Sequence, residues 1–244
     1  MDVDRFAAEL PGLFDDYPRS EIPRGRRFDD VIGGIPNLAT ENVLALLNLS
    51  ASLLRPGESY VEVGSFYGAS LIGAMRGNTG DFVAIDRFSF DVPEVRGRPL
   101  PRASRAGLEE SLARFDADSA TILEGDAFLL IPEGALGDRK VGVYYYDADH
   151  RYESQLRALT VIEPFLADRA LLIVDDTDWE QVADATNDYL ARQPKARMLL
   201  WIPGKDNGLP AWWEGVQVLA WESDGDEAVP VAHATATAEL VRSV

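Results

Sequence analysis

The chain has 244 residues, 46% of them hydrophobic, and is long enough to bury a sizeable core. No apolar run reaches the roughly 18 residues of a membrane-spanning helix, and Met1–Arg5 lacks the basic and apolar regions of a secretory signal, so a cytoplasmic location and no membrane partner are expected. A net charge of −18 argues against a nucleic-acid partner, and the absence of cysteine excludes disulfides and thiolate metal sites.

The spacing predicts an amphipathic helix over 2–16, carrying Phe6, Leu10, Leu13 and Phe14 and disturbed by Pro11. Residues 17–39 are rich in Pro, Gly and Arg and read as an irregular lid or arm. Thr40 is placed to cap a helix running to Leu54. Apolar runs at 59–63, 82–85, 120–123, 141–146 and 170–174 then alternate with helical patterns at 68–76, 104–114, 151–166 and 178–192. Short strands alternating with helices predict a parallel α/β sheet. The last apolar runs, 198–202 and 216–221, are joined by too short a segment for a helical crossover, so they are expected to pair antiparallel at the sheet edge. We therefore expect an N-terminal helix and arm over 1–39, a Rossmann-like domain over 40–222 with a mostly parallel seven-stranded sheet, and an acidic, alanine-rich tail over 223–244. The arginine-rich stretches 19–27 and 96–105 fall where loops would border a site, with solvation as their simplest role.

In an open parallel sheet, ligands bind beyond the carboxyl ends of the strands. Three kinds of strand end carry chemistry here. The first strand ends in Glu62, and Gly64, Ser65 and Gly68 form a glycine turn into the next helix. Such glycines let backbone approach a ligand and aim helix N–H groups at it. The G-x-x-x-G spacing lacks the middle glycine of the dinucleotide pattern. Asp86 ends the second strand, where an acid can accept hydrogen bonds from two ribose hydroxyls. Asp126 and Ala127 follow the third strand, where an acid can read an adenine amino group. The plain structural readings are turn glycines and solvated strand ends.

Asp147 ends the fourth strand and Asp175–Asp176 the fifth. Three carboxylates meeting there would repel unless a cation neutralised them. All-oxygen ligands favour Mg²⁺, with Mn²⁺ or Ca²⁺ as alternatives. The competing readings are helix caps for Asp175 and Asp176, a cap or supporting role for Asp149, and an ordinary polar residue for His150. Trp212 and Trp213 read as core of the terminal hairpin, or as a wall of an acceptor pocket. His233 is assigned no role.

Together, the run from Glu62 to Gly68, the strand-end Asp86, the Gly125-Asp126-Ala127 triplet and the terminal hairpin resemble class I S-adenosylmethionine-dependent methyltransferases over most of residues 40–222. The resemblance implies S-adenosylmethionine as cofactor, held by Glu62, Gly64, Ser65, Gly68, Asp86, Asp126 and Ala127. Asp147, Asp175 and Asp176 are similar to the carboxylates of two metal-dependent O-methyltransferase groups, acting on catechols and on macrolide sugars. The sugar type carries a histidine three positions past the first Asp, as His150 does here; the Asp-Asp pair departs from both groups in one residue. This implies a small-molecule hydroxyl acceptor, with Asp147 and His150 catalytic and His150 as general base. A homo-oligomer is compatible with this reading. A metal-dependent hydrolase such as a phosphoesterase is the alternative, and a methyltransferase-like protein that binds without catalysis is the third.

Overall fold

The computed structural model describes residues 1–91, 93–95, 98–205 and 208–223. Helix α1 (Val3–Glu9) is capped by Asp2 and gives way to a 3-10 turn at Leu10–Leu13, where Pro11 supplies no N–H to continue the helix. The helix is thus shorter than its apolar pattern predicts. The segment read as an irregular arm contains a short helix, α2 (Asp29–Gly34). It is anchored: Phe28, Val31 and Ile35 are buried, and Arg76 grips the Asp30 carboxylate at 2.6 and 2.7 Å. Helix α3 (Glu41–Ser52) starts at the Thr40 cap and is buried along nearly its whole length.

Strand β1 (Glu58–Val63), α4 (Ala69–Met75), β2 (Asp81–Asp86), α5 (Arg105–Arg114) and β3 (Thr121–Glu124) follow. Next come α6 (Ala127–Leu130), β4 (Lys140–Tyr146), α7 (Tyr152–Val161) and β5 (Leu166–Asp175). Helix α8 (Glu180–Arg192) and strands β6 (Ala196–Ile202) and β7 (Val216–Glu222) complete the order. Helix α7 stops earlier than its pattern predicts, because Pro164 falls in a following 3-10 turn at Glu163–Phe165. The long connection after β2 contains a small antiparallel ribbon pairing Glu94–Val95 with Arg98–Pro99.

The seven strands lie in the order β3-β2-β1-β4-β5-β7-β6. β1 pairs in parallel with β2 and β4, β2 with β3, and β4 with β5. β7 runs antiparallel to both β5 and β6, as the short final connection predicts. Successive strand residues point to opposite faces, and two cores result. Tyr60, Val143 and Tyr145 face one core with α1, α3, α4 and α5; Val61, Tyr144 and Tyr146 face the other with α6, α7 and α8. Residues of α1 and α2 belong to the first core, so the N-terminal segment packs onto the sheet. Among the described residues no helix is long and apolar enough to cross a membrane. The tail expected over 223–244 lies outside the described residues beyond Ser223, as does Arg96.

The chain leaves β1 towards β2 and β3, then returns to the other side of β1 as β4. That reversal opens a crevice between the carboxyl ends of β1 and β4, where ligands of open α/β sheets bind.

Candidate active site

A cavity of about 450 Å³ fills this crevice. Gly64, Ser65, Asp86, Asp126, Asp147 and His150 line it, with Asp175 and Asp176. One strand-end geometry depends on glycine. Gly64 has φ +95°, and a Cβ there would stand 1.8 Å from the Asp147 carbonyl oxygen. Only a residue without a side chain lets the ends of β1 and β4 close this tightly. Gly68 also has positive φ, at +85°, and forms the entry to α4.

Of the predicted cofactor residues, Glu62 and Gly68 lie outside the cavity lining and the others reach it. Glu62 is fully buried, 0% exposed, and lies behind the cavity wall. Ser70 Oγ donates to its Oε1 at 2.8 Å, and the Tyr60 hydroxyl donates to its Oε2 at 2.9 Å. Burial pushes its carboxyl up to about 7 against the pull of these hydroxyls. Glu62 therefore shapes the turn from beneath. Asp86 does line the cavity, and it also ties two loops together. The backbone N–H groups of Phe66 and Phe88 donate to its Oδ2 and Oδ1 at 2.8 and 2.6 Å. Each oxygen retains a further acceptor site. Both loop residues have φ of +49°, an unusual conformation for phenylalanine that the carboxylate helps hold. Asp126 caps α6 by accepting from Phe128 N at 2.8 Å, and Arg87 lies 3.5 Å from its other oxygen. Its plain structural role is thus present, alongside its place in the lining with Ala127. Ser65 Oγ is buried and has no hydrogen-bond partner in the chain.

At the ends of β4 and β5, ligand atoms of Asp147, His150 and Asp176 lie within 4.8 Å of one another. His150 Nε2 stands 2.8 Å from Asp176 Oδ2. It makes no aligned hydrogen bond. Asp176 Oδ1 is buried without any partner. Asp176 also has φ of +56°, which turns the chain sharply after β5. Asp175 lines the same cavity. Its Oδ2 accepts a short hydrogen bond from the Tyr145 hydroxyl, and its Oδ1 accepts from Asp176 N at 3.0 Å. The group of mutually close ligand atoms is made by Asp147, His150 and Asp176, with Asp175 beside it. Burial first, then the charges of Asp175 and Asp176, push Asp147 well above the usual carboxylate range. Asp175 is pushed up to about 7 by burial and by Asp176. For His150, burial disfavours the imidazolium, but the Asp176 carboxylate outweighs it and raises the pKa. Asp149 is held down at about 2 by Arg151 and stays out of the cluster.

The donor set fits a divalent cation. Two carboxylates and an imidazole converge, and one buried carboxylate oxygen lacks a partner. Parts of the arm and of the terminal hairpin also reach the cavity. Pro36 to Ala39, from the arm, line the cavity. Trp213 lines it too, whereas Trp212 is buried core, 5.4 Å from the Phe14 ring and donating to the Pro18 carbonyl. Tyr145 was also missed. The register of β4 on β1, with Tyr145 opposite Glu62, puts it on the face of Tyr60 and Glu62, and no sequence signal fixes that register.

Residues 61–177 match the family described as a methyltransferase domain, a span from within β1 to just past Asp176. No curated protein matches the chain. Several solved structures share the fold. The O-methyltransferase of Bacillus cereus, solved with S-adenosylhomocysteine, is 12% identical over 90% of this chain and 100% of its own, with a TM-score of 0.57. TomG of Streptomyces achromogenes, an O-methyltransferase of tomaymycin synthesis solved with S-adenosylmethionine, is 17% identical over 91% and 90%, with a TM-score of 0.56. A TDP-rhamnose 3′-O-methyltransferase of calicheamicin biosynthesis is 21% identical over 89% and 94%, with a TM-score of 0.54.

Proposed function

We propose that this chain, a class I S-adenosylmethionine-dependent methyltransferase by its domain and its fold, methylates a hydroxyl of a small molecule with the help of a divalent cation. The observation that carries the reading is the convergence of Asp147, His150 and Asp176 on the wall of the crevice that Gly64 and Asp86 also line. The cofactor supplies an electrophilic methyl on its sulfonium. A bound Mg²⁺ would gather two neighbouring acceptor oxygens and acidify one of them.

The chain's own residues supply the remainder. Gly64 closes β1 onto β4 and Gly68 turns the chain into α4, which together shape the cofactor's side of the crevice, and Asp86 offers its remaining acceptor sites to the ribose hydroxyls. Asp147 and the unpartnered Oδ1 of Asp176 would hold the cation. His150 takes the acceptor's proton at Nε2, which makes no aligned hydrogen bond within the chain. Asp176, 2.8 Å away, stabilises the imidazolium that forms. The chain's part is to hold acceptor and cofactor together in this crevice, so its contribution to catalysis is mostly positioning and electrostatics. Asp175, tied to Tyr145, supports the cluster from behind. The hydrolase alternative uses the same carboxylates but gives the glycine turn and Asp86 nothing to do.

The acceptor class follows from the same geometry. Vicinal oxygens on one acceptor would chelate such a cation well. We therefore assign a sugar diol of a natural product or a catechol-like ring. A matched pair of acceptors, catechol and phenol, is the direct comparison. Catechol should be methylated and phenol left nearly untouched. Equal rates for the two would remove bidentate binding from the account.

A further inference from the structure

Trp179 is 45% exposed. Exposure alone carries nothing, because single apolar residues are common on surfaces. Its position does. The indole sits 5.0 Å from the His150 ring, centre to centre, tilted by 48°. Its backbone is fixed. Trp179 N donates to Asp176 O at 3.1 Å, and its own carbonyl accepts from Val182 N and Ala183 N at the start of α8. The preceding residues are held as firmly: Thr177 N and Asp178 N donate to Gly215 O and Glu214 O, and the Asp178 carboxylate accepts from Gly204 N. An exposed tryptophan thus stands on a rigid turn, against the residue proposed to take the acceptor's proton.

The size of the cavity points outward to the same place. At about 450 Å³ it is near the small end of ligand cavities, which span roughly 300–1,000 Å³. The cofactor would take most of that volume, so an acceptor reaching His150 must extend past it. Trp179 lies beyond the cavity lining on that side. The charge there selects further. Asp147, Asp149, Asp175 and Asp176 crowd the same strand ends, and the nearby Arg151 is engaged by Asp149. An anionic acceptor would be repelled.

We propose that Trp179 is the platform on which the acceptor rests: its indole face packs against a neutral ring whose adjacent hydroxyls point to His150 and the Asp147–Asp176 pair. An indole offers such a ring a broad apolar, electron-rich surface at little conformational cost. This assignment rests on the proposed methyl transfer and names the shape and charge of its acceptor. The ring is aromatic or the C–H face of a sugar, and both sources share the chemistry.

The test uses the full chain with two probes, catechol and methyl rhamnoside, and the variants Trp179→Ala and Trp179→Phe. The alanine variant should raise KM for the accepted probe by about tenfold, in line with a lost aromatic contact, with kcat within about threefold. Phenylalanine should recover most of the loss, and S-adenosylhomocysteine affinity by calorimetry should stay unchanged in both. Loss on catechol identifies an aromatic acceptor, and loss on the rhamnoside a sugar. An unchanged KM, or cofactor affinity falling as far as KM rises, would overturn the platform. If the wild type methylates neither probe, the methyl-transfer reading fails, and binding alone then decides. Catechol or rhamnoside binding to the S-adenosylhomocysteine-loaded chain that is lost in Trp179→Ala sustains the platform. Equal binding in the variant, or none by the wild type, rejects it.

Discussion

Replacing His150 with alanine should lower turnover by about 10²–10⁴-fold, the usual loss when a positioned acid–base group is removed. The structure gives three reasons for so large an effect. His150 lies in the turn three residues past Asp147, within 4.8 Å of the carboxylates that would fix the acceptor. Its Nε2 makes no aligned hydrogen bond to the protein. Asp176 Oδ2 stands 2.8 Å from Nε2, where it would stabilise the imidazolium. Cofactor affinity should barely change, because the residues assigned to the cofactor lie around β1, β2 and the turn after β3. Rates from a single turnover, with chemistry limiting, are the quantity to compare. A fall smaller than about fivefold would make the histidine a bystander.

The carboxylates should separate into two classes when each is changed to asparagine and Mn²⁺ binding is measured by calorimetry. Asp147→Asn and Asp176→Asn should abolish detectable binding, since each removes an oxygen charge aimed into the cluster. Asparagine is the right replacement at 176, where φ is +56° and most side chains would add strain. Asp175→Asn should weaken binding by about 10–100-fold, the usual consequence of disturbing a group that supports a ligand from behind. Its carbonyl can still accept from Tyr145. The reverse order, with Asp175 indispensable and Asp176 dispensable, would give the ion to Asp175 and leave Asp176 as its support.

That division marks where the sequence stops being legible. The strand-end position of each motif followed from alternating apolar runs, because a parallel sheet sends all its carboxyl ends to one rim. The antiparallel end of the sheet followed from the short connection between β6 and β7. Which of two adjacent aspartates joins Asp147 and His150 in one close group did not follow. Asp175 still belongs to the strand and points to the Tyr145 side, while Asp176 turns away through its left-handed backbone. That backbone conformation is a tertiary outcome with no mark in the sequence, since aspartate tolerates it without requiring it. Glu62 shows the same limit. Its place at the end of β1 was readable, but its burial beneath Tyr60 and Ser70 depends on where α4 packs. The arm at 17–39 read as irregular because Gly and Pro dominate it. Only the bidentate grip of Arg76 on Asp30, across 46 residues of chain, shows why α2 forms there.

The most direct measurement is transfer of labelled methyl from S-adenosylmethionine to catechol by the full chain, after exhaustive chelation and then with Mg²⁺ restored. The account predicts no transfer from the chelated protein, recovery on adding Mg²⁺, and no recovery in Asp147→Asn even though that variant still binds S-adenosylhomocysteine. Undiminished transfer by the chelated protein would contradict it, leaving a methyltransferase whose acidic cluster serves some purpose other than holding a cation.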